Sequence, residues 1–464
     1  MRSLSRPSPL AARVSARTLR VGARLAIATL AALGALELLA AWLTPHVELG
    51  LHAALALAAW ELAVQGLVTH AATRRRRDEV PAARASVSVL VAAWNEERDI
   101  VATVRSILAQ EDVTLEVLVA DDGSTDRTRE VLRDAFALET RHDGLVDAMG
   151  MLRVLTLPHR GKGAALEAAR RVARHPILVT VDADTTLGPG AIERLTRPFV
   201  DPLVEAAAGS VVVRDARDVL SRFQHLEYLK TTLLRHGWSE LGMLEQVPGA
   251  FAALRASALE HAGGFPTDSL TEDYEVMFRL YARAAEEGRT FRVPTIVDAC
   301  AYTEPPRTLA GLARQRTRWF AGFLVTLARF RALTLDAGAD AFGLVRLPIK
   351  WIDAIVPPWS LLSLAIVLAL TASAPSGASL EVSALGLVLI ALRLAMDALQ
   401  AHLAIRSHRS AASRLPAREP SLTSTWLAAL GESWSYAWLR QLLVLRAYPF
   451  ALRRGRAWET SREP

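Results

Sequence analysis

Two long segments without lysine or arginine constrain this chain more than any other feature. They lie between Arg24 and Arg74 and between Lys350 and Arg393. Within them are four apolar runs, at about 22–43, 50–72, 354–373 and 380–404. Each run is long enough to cross a hydrocarbon core about 30 Å thick, which takes roughly 20 helical residues. The sequence therefore predicts four transmembrane helices, in two pairs on either side of a longer polar segment.

A fifth apolar stretch, at about 422–448, contains the charged residues Glu432 and Arg440. It predicts either a fifth span or an interfacial or re-entrant helix. Charged side chains are costly at the centre of a bilayer but common in helices that lie at its surface. We therefore favour the interfacial or re-entrant helix.

The distribution of arginine around the runs predicts their orientation. Arginines are frequent before the first run, after the second and after the fourth, whereas the loops 44–49 and 373–379 contain neither lysine nor arginine. The positive-inside rule therefore places both termini and residues 80–345 on the cytoplasmic side. We expect a multi-pass protein of the inner (plasma) membrane.

Composition agrees with a chain that combines apolar spans and an ordinary soluble domain. Of the 464 residues, 51% are hydrophobic and 22% are charged, which excludes a disordered or collagen-like chain. The single cysteine excludes an intramolecular disulfide and a Cys-rich metal site. The net charge of +6 is compatible with nucleic acid, an anionic substrate or a membrane surface. We expect no nucleic-acid partner, because the sequence contains no recognition module for one.

The runs and their flanking charges divide the chain into four parts. Residues 1–80 form a basic N-terminus and two transmembrane helices, 81–345 a cytoplasmic domain ending in interfacial helices, 346–405 two further transmembrane helices, and 406–464 a basic loop, the fifth segment and a cytoplasmic tail. The chemistry is expected in the second part, which holds most of the charge.

This second part alternates between apolar runs rich in β-formers and helical patterns. We expect strands at Ser86–Ala92, Leu115–Ala120, Leu152–Leu157 and Ile177–Val181, and helices near 97–109, 127–138 and 163–174. Continuous apolar strands that alternate with helices predict an α/β fold with a mostly parallel sheet. In such sheets, ligands bind outside the carboxyl ends of the strands.

Polar residues follow all four predicted strands. They are Asn95 and Glu96 after the first strand, Asp121 and Asp122 after the second, Lys162 after the third, and Asp182 and Asp184 after the fourth. Any one of these clusters could be a helix cap or a turn. Four clusters at corresponding strand ends favour a nucleotide-sugar site instead. Two carboxylates spaced Asp-x-Asp suit a divalent cation, Mg²⁺ or Mn²⁺, that anchors a diphosphate.

Two later motifs suggest a reaction. In Thr271-Glu272-Asp273, a carboxylate could serve as general base for an acceptor hydroxyl, although Thr271 is also a plausible helix N-cap. In Gln315-x-x-Arg318-Trp319, the arginine could hold a leaving diphosphate and the tryptophan could support a sugar ring. A basic interfacial helix explains most of the arginines nearby but does not explain the Gln and Trp spacing.

The ordered motifs resemble the membrane-embedded processive glycosyltransferases of family two. These include the cellulose, chitin, hyaluronan and poly-N-acetylglucosamine synthases. The chain length and the two N-terminal spans look most like the bacterial poly-β-1,6-N-acetylglucosamine synthases. The resemblance implies a glycosyltransferase A-type domain, α/β with a mostly parallel sheet, inserted between transmembrane helices.

The resemblance also implies a role for each motif residue. Asn95, Glu96, Asp121, Asp122, Lys162 and Asp182 would bind the donor nucleotide, Asp184 with Asp182 the metal, Gln315 and Arg318 the diphosphate, and Trp319, Glu272 and Phe251 the acceptor, with Asp273 as the catalytic base. Ala92, Trp94 and His159 depart from the family pattern, which has Pro, Tyr and frequently Asn at these positions. The departures concern donor selectivity more than the class of reaction.

These features predict an inverting, metal-dependent transfer of a hexose or N-acetylhexosamine from a UDP-sugar to a growing polysaccharide. We expect the transfer to be processive, with export across the membrane. One alternative is non-processive glycosylation of a lipid carrier or diacylglycerol, and another is a non-catalytic membrane scaffold subunit. The expected partners are the donor, a glycan or lipid acceptor, membrane lipids and accessory membrane or export subunits.

Overall fold

The computed structural model describes residues 49–73, 85–141, 144–358, 378–412 and 421–452. The predicted span at about 22–43 and most of the span at about 354–373 lie outside these ranges. The apolar stretches at 50–72, 380–404 and 422–448 lie within them.

Ten strands in the described part of the chain form one sheet. They are β1 (Ser86–Ala93), β2 (Thr114–Asp121), β3 (Glu139–Arg141), β4 (Gly144–Val146), β5 (Leu152–Thr156), β6 (Ile177–Val181), β7 (Thr186–Leu187), β8 (Ala206–Val213), β9 (Phe251–Arg255) and β10 (Thr295–Thr303). Their order across the sheet is β3-β4-β5-β2-β1-β6-β9-β8-β10-β7. The four strands expected from sequence are β1, β2, β5 and β6, and their bounds agree to within one residue.

The sheet is mixed, so the expectation of a mostly parallel sheet is wrong. Strands β5, β2, β1 and β6 are mutually parallel, as predicted, but β9 runs antiparallel to both of its neighbours, β6 and β8. The reversal arises because β9 enters from the carboxyl edge of the sheet, where Phe251 pairs with Val181 at the end of β6. The loop that precedes β9 therefore lies beside the polar end of β6.

Helices cover both faces of the sheet. They are α1 (Leu49–Ala72), α2 (Ile100–Leu108), α3 (Thr128–Phe136), α4 (Lys162–Val172), α5 (Ala191–Thr196), α6 (Val219–Glu240), α7 (Ala256–His261), α8 (Glu272–Glu287), α9 (Leu309–Arg329), α10 (Ala378–Ala412), α11 (Leu422–Glu432), α12 (Tyr436–Val444) and α13 (Ala447–Leu452). Short 3-10 turns (Arg197–Val200, Arg331–Leu333 and Ala337–Ala339), a π turn (Phe342–Arg346) and helix over 347–358 complete the described backbone.

The core forms one apolar layer on each face of the sheet. Along β1, Val87, Val89 and Val91 belong to the layer under α2 and α3, whereas Leu90 and Ala92 belong to the layer under α4 and α8. This alternation follows from the two-residue period of a strand. Because both faces are covered, the strand reads as a continuous apolar run.

No helix in the described ranges is long and apolar enough to cross a membrane. The predicted spans at 50–72 and 380–404 correspond to α1 and α10, and α1 packs against α6 of the central domain. The stretch at 422–448 is not one continuous helix but is divided among α11, α12 and α13. Its two charges are paired with α6, because Glu432 contacts Lys230 at 2.9 Å and Arg440 contacts Glu227 at 2.8 Å.

Gly237 allows the close approach of α1 and α6, and replacing it should weaken their packing. A Cβ at this position would overlap the carbonyl oxygen of Val68 on α1. We expect Gly237→Ala to lower the free energy of unfolding by about 1–3 kcal/mol, as overpacked sites do. Gly66→Ala is the matched control on α1, because its Cβ would meet only the Met396 methyl at 3.5 Å. Equal effects of the two substitutions in denaturant unfolding would contradict this account of the packing.

Candidate active site

A cleft of about 720 Å³ lies at the carboxyl edge of the sheet. Its walls come from the turn after β6, the loop before β9, the start of α8 and one face of α9. Eight of the thirteen residues singled out from sequence line it: Lys162, Asp182, Asp184, Glu272, Asp273, Gln315, Arg318 and Trp319. Three segments far apart in sequence thus converge on one cavity.

Lys162 lies between two carboxylates at the base of the cleft. Its Nζ is 2.6 Å from Oδ1 of Asp182 and 2.7 Å from Oε1 of Glu272. Burial alone would lower the pKa of Lys162, but the two carboxylates raise it above its usual value. Lys162 is therefore a fixed cation that joins α4, the end of β6 and α8.

Asp273 is held by three donors at the start of α8. Nε2 of Gln246 donates to its Oδ2 at 2.7 Å, and the backbone N–H of Gly249 donates to the same oxygen at 3.3 Å. The N–H of Tyr274 donates to Oδ1 at 2.9 Å. Burial raises the pKa of Asp273, and the neighbouring Glu272 raises it further, against the opposing effect of Lys162. A carboxylate in this setting is suited to accept a proton.

Asp182 and Asp184 could hold a metal ion together with a diphosphate. Both line the cleft, and Thr303 donates to Oδ1 of Asp184 at 3.3 Å. Nη2 of Arg214 also donates to the carbonyl of Asp184, at 2.8 Å, which fixes the turn. Within the described residues no group of three metal-ligating side chains occurs. Two carboxylates still fit Mg²⁺ or Mn²⁺, because Mg²⁺ usually takes its remaining ligands from phosphate and water.

Asn95 and Asp122 hold loops together beside the cleft. The backbone N–H groups of Arg160 and Gly161 donate to the two oxygens of Asp122, both at 2.8 Å. Asn95 has a positive φ of 55°, and its Oδ1 accepts from the N–H of Thr125 at 2.8 Å. Neither residue is among those that line the cleft, and their side-chain oxygens join the turns that follow β1, β2 and β5. Their predicted contact with the donor nucleotide stays a prediction.

Glu96 and Asp121 lie at the same strand ends as these loops. The N–H of Glu96 donates to Thr128 at 2.8 Å, which joins the turns after β1 and β2. Asp121 is fully buried with Arg129 at 3.3 Å, and burial raises its pKa. Its Oδ2 accepts no hydrogen bond within the described part of the chain but is buried against Arg129, so its contact with a nucleobase stays a prediction.

Phe251 does not reach the cleft, so its predicted contact with the acceptor is wrong. Its side chain is fully buried in the core of the sheet, against Gly209. Gly249 and Ala250, which precede it, do line the cleft. Phe251 instead begins β9 and packs into the layer under α2. Consecutive side chains point to opposite faces in extended backbone, so Phe251 enters the core although Ala250 before it lines the cleft.

Helix α9 brings the Gln-x-x-Arg-Trp motif against the start of α8. Nη1 of Arg318 donates to the carbonyl of Leu270 at 3.2 Å. Gly322 permits the contact, because a Cβ there would overlap the hydroxyl of Thr271. Thr271 occupies the N-cap position of α8, but its hydroxyl makes no capping hydrogen bond. Packing on α9, rather than capping, therefore accounts for this threonine.

Glu227 is the centre of a buried polar cluster that the sequence did not indicate. Its carboxylate accepts from Arg316 at 2.6 Å, from the Tyr436 hydroxyl at 2.7 Å and from Arg440 at 2.8 Å. The Arg316 guanidinium also lies 4.4 Å from the centre of the Trp319 ring. Burial would raise the pKa of Glu227, but the two guanidiniums and the hydroxyl lower it to about 2. The cluster connects the Trp319 side of the cleft to α6 and α12.

The fold and the cleft define a glycosyltransferase of the α/β, A-type architecture. Residues 83–322, just over half of the chain, match the sequence model of the family described as glycosyltransferase like family 2, and the chain belongs to that family. Among solved structures, it is similar to the mannosyltransferase PcManGT from Pyrobaculum calidifontis, in complex with GDP-Man and Mn²⁺. That similarity has a TM-score of 0.55 and 24% identity, and it covers 78% of this chain and 99% of that chain.

Curated relatives include poly-beta-1,6-N-acetyl-D-glucosamine synthases. The protein from Staphylococcus epidermidis is 28% identical over 239 residues, which cover 51% of this chain and 54% of that protein. The protein from Staphylococcus aureus is 27% identical over 238 residues, with the same coverage. The chain thus spans about half the length of the curated relatives it matches.

Replacing Glu227 by glutamine should destabilise the protein in a pH-dependent way. The shift of its pKa from 4.5 to about 2 corresponds to about 3 kcal/mol of stability. This contribution is complete above pH 4.5 and is lost as the pH falls towards 2. We therefore expect Glu227→Gln to lower the free energy of unfolding at pH 7, and the difference from wild type to shrink between pH 5 and pH 2. The exposed Glu130→Gln is the control, and a difference that stays constant with pH would exclude the assigned role.

Proposed function

We propose that this protein transfers a hexose or N-acetylhexosamine from a UDP-sugar to a growing polysaccharide, with inversion at the anomeric carbon. The observation that carries the proposal is the convergence of a buried carboxylate, two Asp-x-Asp carboxylates, an arginine and a tryptophan in one cleft of a glycosyltransferase domain. Processive elongation is part of the proposal, because the relatives at 27–28% identity are named as polysaccharide synthases.

In the proposed reaction, Asp273 takes the proton from an acceptor hydroxyl. The hydroxyl oxygen then forms a bond to the anomeric carbon from the face opposite the nucleotide, and the bond from that carbon to the diphosphate oxygen breaks. UDP leaves with the electron pair. Asp184 and Asp182 would hold Mg²⁺ or Mn²⁺, whose charge offsets the charge that develops on the diphosphate. Arg318, which also lines the cleft, would add a hydrogen-bond donor for the diphosphate.

We assign acceptor binding to the aromatic residues of the cleft. Trp319, Phe320 and Phe323 all line it, and an aromatic face packs well against the apolar face of a sugar ring. Glu272 is committed to Lys162 at 2.7 Å, so we propose that it fixes the site rather than binds the acceptor directly. Asp121 would accept a hydrogen bond from the base of the donor.

We also propose that the protein is bound to the membrane, with residues 81–345 forming a cytoplasmic catalytic domain between apolar segments. Large apolar side chains near the C-terminal helices support this placement. Ile355, Leu427, Leu430, Trp434, Leu442 and Leu452 are each more than half exposed. Clustered exposed apolar side chains are typical of protein or membrane contact sites.

The donor and the product can be identified with the purified protein in lipid vesicles. We expect nucleotide release and a polymer with one UDP-sugar in the presence of Mg²⁺ or Mn²⁺, and loss of both on chelation of the metal. GDP-mannose belongs in the donor panel because of the similarity to PcManGT. Addition of one sugar to a lipid would instead support a non-processive enzyme. Absence of nucleotide release with every donor would reject the proposed function.

Substitution of Asp273 by asparagine should abolish turnover while UDP binding is retained. Asparagine keeps the shape of the side chain but cannot accept the proton at neutral pH. We expect kcat to fall by at least about 10²-fold, the lower end for loss of a general base, with the Kd for UDP unchanged in calorimetry. Asp134→Asn on the exposed surface of α3 is the matched control. Survival of turnover in Asp273→Asn would reassign the base.

A further inference from the structure

Two residues outside the sequence motifs form a hydrogen-bonded chain that ends on Asp273. Nη2 of Arg235, on α6, donates to Oε1 of Gln246 at 3.1 Å. Nε2 of Gln246, in the loop between α6 and β9, donates to Oδ2 of Asp273 at 2.7 Å. All three side chains line the cleft. Arg235 donates to the amide of Gln246, and its charge also acts through space on Asp273 and Glu245.

The chemistry of the three groups fixes the direction of this chain. A guanidinium has donors and no acceptor, so the amide oxygen of Gln246 must face Arg235. The NH₂ end of the same amide must then face Asp273. A carboxylate oxygen that accepts this hydrogen bond is stabilised in its ionised form, which is the form that a general base needs. We infer that Arg235 and Gln246 are positioning residues that hold Asp273 oriented and ionised for transfer.

The surroundings of Asp273 show why its carboxyl group needs a hydrogen-bond donor to stay ionised. The titratable and charged groups that act on it are Glu272 and Tyr274 on α8, Lys162 on α4 and Arg235 on α6, and Lys162 is itself paired with Asp182 after β6. Burial and Glu272 both raise the pKa of Asp273. Lys162 is already paired with Asp182 and Glu272 at 2.6 and 2.7 Å. Gln246 is the side-chain donor that acts on Asp273 from outside its own helix.

The inference rests on the proposed function, in which Asp273 accepts the proton of the acceptor hydroxyl. Neither Arg235 nor Gln246 takes that proton. Gln246 restrains Oδ2, and Arg235 prevents the amide from rotating so that its oxygen faces the carboxylate. Loss of Arg235 should therefore matter mainly while Gln246 is present, since without Gln246 only the longer-range charge of Arg235 acts on Asp273.

A double-mutant cycle tests this dependence. Loss of a hydrogen bond to a charged group costs about 1.5–3 kcal/mol, so we expect Gln246→Ala to lower kcat by roughly 10- to 100-fold with little change in the KM for the donor. We expect Arg235→Met to lower kcat about 10-fold, and Arg235→Lys to recover part of the loss. The double variant should be no slower than Gln246→Ala. Losses that multiply would overturn the inference.

Arg222→Met is the matched control, because Arg222 is also on α6 but bonds to the carbonyl of Ala216 and does not line the cleft. We expect it to leave kcat unchanged. If it lowers kcat as much as Arg235→Met does, the effect belongs to the helix in general and the inference fails.

A measurement that needs no turnover separates this inference from the proposed function. Carbodiimide modifies protonated carboxyl groups, and peptide mass spectrometry can follow its reaction with Asp273 as a function of pH in the full-length protein. We expect the midpoint to rise by about one pH unit in Gln246→Ala and in Arg235→Met, and no further in the double variant. Unchanged midpoints would overturn the inference even if transfer activity is established. Raised midpoints would support it even if no donor is turned over.

Discussion

The ion pairs of Lys162 with Asp182 and Glu272 are the interaction on which the rest of the cleft depends. Lys162 opens α4, Asp182 ends β6 and Glu272 opens α8, so one side chain fixes three elements. Lys162 is largely buried, so loss of either carboxylate would leave its charge less compensated and would loosen the junction of the three elements. Gly249 has room beside Lys162 only because it lacks a side chain, since a Cβ there would lie 3.2 Å from Nζ.

The strands that sequence predicted well share a strong local signal. β1, β2, β5 and β6 are short apolar runs, each followed by polar residues. Because these strands are buried on both faces of the sheet, their residues are apolar almost without interruption, and this can be recognised in the sequence. The later strands carry weaker signals. β9 reads Phe-Ala-Ala-Leu-Arg, which suits a helix as well as a strand, and its reversed direction is set by the path of α6 and the following loop. The mixed sheet could not be inferred from residue patterns alone.

The candidate site shows the same division between local and distant causes. Motif spacing predicted that Asp273 and Arg318 lie near one site, and both line the cleft because α8 begins with one motif and α9 carries the other. Their catalytic and diphosphate-binding roles stay predictions. Motif spacing misassigned Phe251, whose burial depends on a neighbouring strand. The ligand-binding role of Asp122, whose oxygens accept from the loop at 160–161, stays a prediction. In the sequence, Glu432 and Arg440 are two charges that would be unfavourable inside a bilayer. In the structure each is paired with a residue of α6 that lies about 200 residues away in sequence. Ion pairs between residues so far apart cannot be predicted from the local sequence pattern.

Helix α6 connects these distant pairings to the chemistry. Glu227 holds Arg316, which lies over Trp319, and Arg235 holds Gln246, which restrains Asp273. The proposed sugar platform and the proposed base are therefore both supported from one helix. Lys230, between the two, pairs with Asp397 and Glu432 at 3.2 and 2.9 Å, so α10 and α11 are fixed to the same helix. The C-terminal helices and the residues that support the proposed base and sugar platform are therefore anchored on the same helix.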